Sequence, residues 1–240
     1  MSVLGRLARV VLPGLRRVHA QVARYAAEWE DANRQALTGA GPLWAVLGDS
    51  TAQGIGAPSW DEGYVGQLRR ALDDGSERPW RVVNLSRSGA RVLDVLDRQL
   101  PALEALDPRP DLVTCAIGAN DIVRRIPLPE LEDQLRRILA RLPERAVIAT
   151  LPQGLNAART EAANRVIREA APAAGLLVAD VWARTGPPWR GKFASDGFHP
   201  GVLGYADWAA AFAEALGPAL SPRLGEREQP PHRLGSDDPS

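Results

Sequence analysis

The chain has 240 residues, 45% hydrophobic and 24% charged, enough for one globular domain with a full core. Acidic and basic residues balance at 29 each, so nothing in the totals points to nucleic acid or another polyanion, and no nucleic-acid partner is expected. The single cysteine, Cys115, excludes an internal disulfide, and no apolar run approaches the ~20 residues of a membrane-spanning helix.

Residues 1–40 carry a helical pattern. Leu4, Leu7, Val11, Leu15, Val18, Val22, Tyr25 and Trp29 recur at threes and fours and so share one face. Arg6, Arg9, Arg16, Arg17 and Arg24 fall on the other side. Pro13-Gly14 should break the segment into a short helix and a longer one. The favoured expectation is a helix packed on the main domain with its arginines in solvent. Weak contact with an anionic membrane surface is the alternative. The run "VVLPGL" is too short and too interrupted for the roughly 7–15-residue apolar region of a signal peptide. A cytoplasmic protein is therefore the default expectation, with peripheral membrane association left open.

From residue 43 the pattern alternates. Apolar runs rich in β-branched residues lie at 43–47, 81–85, 111–117, 145–150 and 176–179, and helical patterns near 63–73, 91–106, 128–141, 157–173 and 201–216. Strands alternating with helices imply a parallel sheet covered on both faces, an α/β three-layer sandwich. Cys115, inside "LVTCAIG", reads as a small core residue. Residues 221–240, rich in Pro, Gly, Ser and charge, read as a disordered tail. The expected organisation is a helical extension (1–40), an α/β domain (41–220) and this tail.

Four polar spots punctuate the pattern. The strand "LWAVL" stops at Gly48-Asp49-Ser50-Thr51. Taken alone, that tetrapeptide fits an ordinary loop and helix cap. It equally fits a sharp turn at Gly48 that presents the Ser50 hydroxyl at the strand's carboxyl end. "NLSRSGA", with Gly89, follows the second strand, and "IGAND", with Asn120, follows the third. Carboxyl ends of parallel strands share one edge, so these loops should converge. The fourth spot is "SDGFHPGVLGY". Of the three histidines, His19 lies in the first helix and His232 in the tail, which leaves His199 as the candidate general base. Asp196, three residues earlier, can orient its imidazole, and Pro200 is expected to open the last helix. Asp49 and Asp121 read as loop braces. Trp60, Trp182 and Trp189 lie in loop-like segments and are read as packing before pocket lining. No His/Cys/Asp/Glu cluster has metal-ligand spacing, and the glycines form no nucleotide fingerprint, so neither metal nor cofactor is expected.

These blocks, "GDST", the Gly89 loop, "GAND" and "DGFHPG", resemble in order those of the GDSL-type, or SGNH, hydrolases over roughly residues 43–216. The resemblance implies a flavodoxin-like sandwich with a five-stranded parallel sheet of order 2-1-3-4-5 and an ester-hydrolysing site. It also implies Ser50 as nucleophile, His199 and Asp196 as its partners, and an oxyanion hole from the Ser50 and Gly89 amides and the Asn120 side chain. The expected activity is hydrolysis of a small-molecule or lipid ester through an acyl-enzyme. Carbohydrate O-acetyl esterase, acyltransferase and non-catalytic binding module are the alternatives. The oligomeric state is unknown from sequence.

Overall fold

The computed structural model describes the backbone of residues 3–220 and the side chains of 13–217. The expected tail, 221–240, and the side chains of Leu4, Arg6, Leu7, Arg9 and Val11 lie outside the described residues.

Five strands, β1 (Leu43–Gly48), β2 (Arg81–Asn84), β3 (Leu112–Ala116), β4 (Val147–Ala149) and β5 (Leu177–Ala179), form one sheet. Its order is β2-β1-β3-β4-β5, and every pairing is parallel. The strands are apolar at consecutive positions because each face meets a helical layer. Ala45, Leu47, Val113, Cys115 and Ile148 project into one core, while Trp44, Val46, Leu112, Val147 and Ala149 project into the other. Both faces are buried, as a parallel sheet requires.

The first core is closed by a broken helical stretch of α3 (Val92–Asp94), a π turn (Val95–Gln99) and α4 (Leu100–Glu104), and by α6 (Leu128–Arg141) and α7 (Ala157–Ala173). The second is closed by α2 (Tyr64–Asp74) and α9 (Val202–Leu220). Two short helices, α5 (Ala119–Val123) and α8 (Val181–Arg184), follow β3 and β5. In the second core Tyr64 stacks on Phe212 with ring centroids 5.1 Å apart and on Trp208 at 5.7 Å. Aromatic pairs of this kind add to what their buried area contributes. Trp44, from β1, donates its indole N–H to Thr114 Oγ1 of β3 at 2.9 Å.

Three expectations need correction. The first helix, α1 (Val3–Thr38), runs through Pro13-Gly14 without a break. Packing outweighs the missing proline N–H: a Cβ on Gly14 would lie 2.2 Å from the Ser195 carbonyl oxygen, so the helix sits directly on that loop. The single helix expected over 91–106 is interrupted by the π turn. Pro101 has no N–H to continue an α ladder there, and the widened turn lies just before it. Pro200 does not open the last helix, which begins at Val202; it instead forms an antiparallel bridge with Phe193.

Along α1, Val18, Tyr25, Trp29 and Ala36 are buried against the domain, while Arg16, Arg17 and Arg24 are exposed. Asn33 accepts from the backbone N–H of Asn84 at 2.7 Å and donates to the carbonyl of the same residue at 2.9 Å. It thereby caps part of the open edge of β2, where unpaired backbone groups would otherwise face outward. Among the described residues, no helix is long and apolar enough to cross a membrane.

Truncating Phe212 to alanine removes the most parallel partner of Tyr64 and leaves a cavity. The expected cost is about 3–5 kcal/mol of unfolding free energy. Urea denaturation of Phe212→Ala checks it, and a loss under 1 kcal/mol would mean that the layer repacks freely.

Candidate active site

The carboxyl end of β1 is where the chain leaves the sheet. Gly48 adopts φ 154°, and a Cβ there would lie 2.6 Å from the Ala116 carbonyl oxygen on β3. Only glycine allows this close crossing. Gln99, buried in the π turn, holds the crossing from the other side. Its Oε1 accepts from Gly48 N and its Nε2 donates to Gly48 O, both at 2.8 Å. Asp49 Oδ1 then accepts from Thr51 N and Thr51 Oγ1, each at 2.9 Å, folding the turn that carries Ser50.

His199 Nε2 lies 3.1 Å from Ser50 Oγ, and His199 Nδ1 lies 2.6 Å from Asp196 Oδ2. A carboxylate only accepts, so Nδ1 carries the proton and Nε2 is left to accept from the serine hydroxyl. Asp196 is itself held: its Oδ1 accepts from the backbone N–H groups of Phe198 and His199, both at 3.0 Å. Burial pushes the Asp196 carboxyl up. The His199 hydrogen bond, the two backbone amides and the imidazole's charge outweigh that and hold it below the ordinary carboxylate value.

Asn120, at the start of α5, donates through Nδ2 to the Ala90 carbonyl at 2.9 Å and to Asp49 Oδ2 at 3.3 Å. Both amide hydrogens are therefore engaged within the protein. The Gly89 loop is drawn to the same edge by Gln53, whose Oε1 accepts from Ser88 N at 3.1 Å and Ser88 Oγ at 2.6 Å. Gln53 Nε2 donates to Ser86 O at 3.1 Å. The structure thus brings Ser50, His199 and Asp196 into hydrogen-bond contact, and joins the Gly89 and Asn120 loops to the same strand edge.

The two neighbouring acids act as braces. Asp49 is buried and its pKa is raised by that burial against the pull of the Thr51 bonds and of His199. Asp121 is pushed up to about 6, again mainly by burial, while the Val92 amide and Arg91 oppose the rise. Its Oδ2 accepts from Val92 N at 3.1 Å, which ties the Asn120 loop to α3.

A cavity of about 120 Å³ opens beside Ser50. Leu155, Trp189, Phe193 and Phe198 supply its apolar wall, with Trp189 and Phe193 stacked at 5.5 Å. Lys192, the only lysine in the chain, contributes a polar side through its ion pair with Asp207 at 2.8 Å. Of the three tryptophans read as packing, Trp189 does line the site, whereas Trp60 packs edge-on against Trp29 at 4.4 Å. Sequence reasoning weighed Trp189 as pocket lining but preferred packing, and missed Phe193, Phe198 and the amides Gln53 and Gln99. Isolated amides and aromatics carry no spacing signature. A buried-strand end followed by unsatisfied backbone is the one signal that would call for such side chains.

With that geometry in place, comparison with known proteins is decisive. The model of the GDSL-like Lipase/Acylhydrolase family matches residues 46–206. The chain belongs to this family. It is 29% identical over 198 residues to the GDSL-like esterase Rv1075c of Mycobacterium tuberculosis, covering 75% of this chain and 63% of that protein. The matched part thus spans less than two thirds of that relative. Among solved structures, TesA aligns with a TM-score of 0.62 at 26% identity, over 73% of this chain and 98% of that one. LAE5, an alpha/beta hydrolase enzyme from the metagenome of Lake Arreo, Spain, aligns with a TM-score of 0.59 at 28% identity, over 76% and 98% of the two chains. The family match begins at residue 46 and so leaves α1 outside it.

The lowered pKa of Asp196 makes a signed prediction. A carboxylate held below its unfolded value contributes stability that is present above that value and is lost as pH falls through the folded one. Asp196→Asn should therefore melt below the parent at neutral pH. The two melting curves should converge as acid takes the protein below the ordinary carboxylate value of 3.8. A gap that stays constant through the acid range would show that Asp196 carries no such linkage.

Proposed function

We propose that the protein is a carboxylic ester hydrolase that works through an acyl-enzyme on Ser50. The observation that carries this reading is the Asp196–His199–Ser50 relay, 2.6 and 3.1 Å, at the mouth of an apolar cavity. Serine is a weak nucleophile until a base takes its proton. As Ser50 Oγ bonds to the ester carbonyl carbon, its proton passes to His199 Nε2, and Asp196 stabilises the imidazolium. Collapse of the tetrahedral intermediate breaks the bond to the leaving oxygen, which departs as alcohol with the proton from His199. Water then repeats the sequence on the acyl-enzyme and frees the acid.

The carbonyl oxygen becomes an anion in each tetrahedral intermediate, and donors aimed at it lower the barrier. The backbone amides of Ser50 and Gly89 and the Asn120 side chain are the proposed donors. For Asn120 this entails an exchange. The bond to Asp49, at 3.3 Å, is the longer of its two and the one to be given up for the oxyanion. The amide is thus held in place before substrate arrives, and its second hydrogen becomes available where negative charge develops.

The substrate is read from the cavity. At about 120 Å³ it is smaller than the roughly 300–1,000 Å³ of pockets for drug-sized ligands, so short acyl groups suit it better than long chains. p-Nitrophenyl acetate and butyrate should be turned over much faster than the decanoate or palmitate. Trp189→Ala, which opens the aromatic wall, should move the preference toward longer chains. An unaltered chain-length profile in that variant would take Trp189 out of the acyl site.

Two substitutions test the mechanism. A fluorophosphonate should label Ser50, and Ser50→Ala should abolish both labelling and ester turnover; undiminished turnover would falsify the reading. Losing one oxyanion donor typically costs ~10²–10³ in kcat, and Asn120→Ala should fall in that range with KM little changed. If kcat holds while the melting temperature drops, Asn120 is a loop brace only.

A further inference from the structure

Resting on the ester-hydrolase reading, we propose that α1, which lies outside the family-matched residues, is a positioning element of the catalytic site and acts through Gln21. Its amide clamps the end of the nucleophile segment. Gln21 Oε1 accepts from Gly56 N at 2.8 Å and Gln21 Nε2 donates to Ala57 O at 2.9 Å. The Ala57 carbonyl also accepts from the buried Tyr25 hydroxyl at 2.8 Å. One turn further along the helix, Trp29 Nε1 donates to Gln53 O at 3.2 Å. Three side chains of α1 therefore fasten the backbone that runs on from Ser50.

That backbone is shared by the nucleophile and the base. Toward Ser50, Gly54 N donates to Thr51 O at 3.1 Å and Ile55 N to Ser50 O at 3.0 Å, so the segment is one continuous set of turns. Toward His199, Gly56 is in direct contact. A Cβ at Gly56 would lie 2.9 Å from His199 Cβ and 2.5 Å from the Pro200 carbonyl oxygen. The backbone at Gly56 is thus the wall on which the stem of the catalytic imidazole rests, and Gln21 holds that wall from behind. At its other contact α1 places Gly14 against Ser195, the residue before Asp196. Both halves of the relay are referenced to the same helix.

A relay works only within a narrow range of geometry, and a displacement of about 1 Å in a catalytic group costs on the order of 100-fold in rate. Gln21→Met keeps the length and bulk of the side chain but removes both hydrogen bonds. The wall at Gly56 is then held by Tyr25 and by Tyr205, whose hydroxyl donates to Ile55 O at 2.6 Å. Tyr25→Phe removes one of the two donors to Ala57 O and should cost less. The double variant strips that carbonyl of both side-chain donors, so its loss should exceed the product of the single losses.

The test measures kcat and KM on p-nitrophenyl butyrate and the rate of fluorophosphonate labelling of Ser50, all normalised to folded protein. Gln21→Met should lower kcat and the labelling rate by roughly ten- to a hundredfold, as displacement of a catalytic group predicts, with KM nearly unchanged. Glu30→Ala, an exposed change on the same helix, should leave all three at parental values. The proton on His199 Nδ1, shared with Asp196, gives a substrate-free readout by NMR: its low-field resonance should shift or broaden in Gln21→Met. Where that variant does not fold, Tyr25→Phe carries the same measurements. A lower melting temperature with parental kcat, labelling rate and Nδ1 resonance would overturn the proposal and leave α1 a stabilising cover. A parent enzyme inert to esters and to the probe would instead sink the ester-hydrolase reading, and the NMR comparison would still decide the role of Gln21.

Discussion

A strand that ends inside a protein leaves backbone N–H and C=O groups with no ladder to join, and the chain from Gly48 to Ala57 must satisfy them while presenting one serine. An unpaired buried group costs roughly 1–3 kcal/mol, so these partners are not optional. Side-chain amides supply many of them. Gln99 bonds both backbone groups of Gly48, Gln21 bonds Gly56 N and Ala57 O, and Asn84 donates to Ala52 O. A carboxamide is suited to this because it offers a donor and an acceptor side by side without titrating. Three separate elements, α1, β2 and the π turn, are thereby tied to the same ten-residue stretch.

The carboxylates near Ser50 show how environment separates roles among like groups. Asp196 receives His199 and two backbone amides and is held ionised, as the partner of an imidazole must be. Asp49 and Asp121 are buried deeply enough that desolvation outweighs the donors they receive, and their pKa values rise. They spend their oxygens on Thr51, Asn120 and Val92 and so shape loops. The same residue type holds an imidazole in one place and closes loops in two others, and desolvation against hydrogen bonding separates them.

Much of this was legible beforehand, for identifiable reasons. A parallel sheet buried on both faces demands apolar runs such as Leu43–Leu47 and Leu112–Ala116, and those runs are distinctive in any sequence. Ser50, Gly89 and Asn120 stand out because each follows such a run, and His199 because the other two histidines lie in the first helix and the tail, with Asp196 three residues before it; their order then matches the family resemblance. The interrupted helix after Gly89 was not legible, because one proline's missing N–H sets a π turn only in the context of Gln99 reaching Gly48. Nor was the continuity of α1: Pro13-Gly14 reads as a break until the loop at Ser195 packs against the glycine.

The sequence by itself determined the alternation of strands and helices, the two apolar faces of the sheet and the polar residues delivered to its carboxyl edge, since these follow from local periodicity and strand direction. Only the tertiary structure decided which side chains serve that edge from a distance. Gln21 is 35 residues from Gly56, Gln99 is 51 from Gly48, and His199 is 149 from Ser50. Hydrogen bonds across such separations leave no period or spacing in the chain. They exist because packing brings separate elements within hydrogen-bond distance of one another.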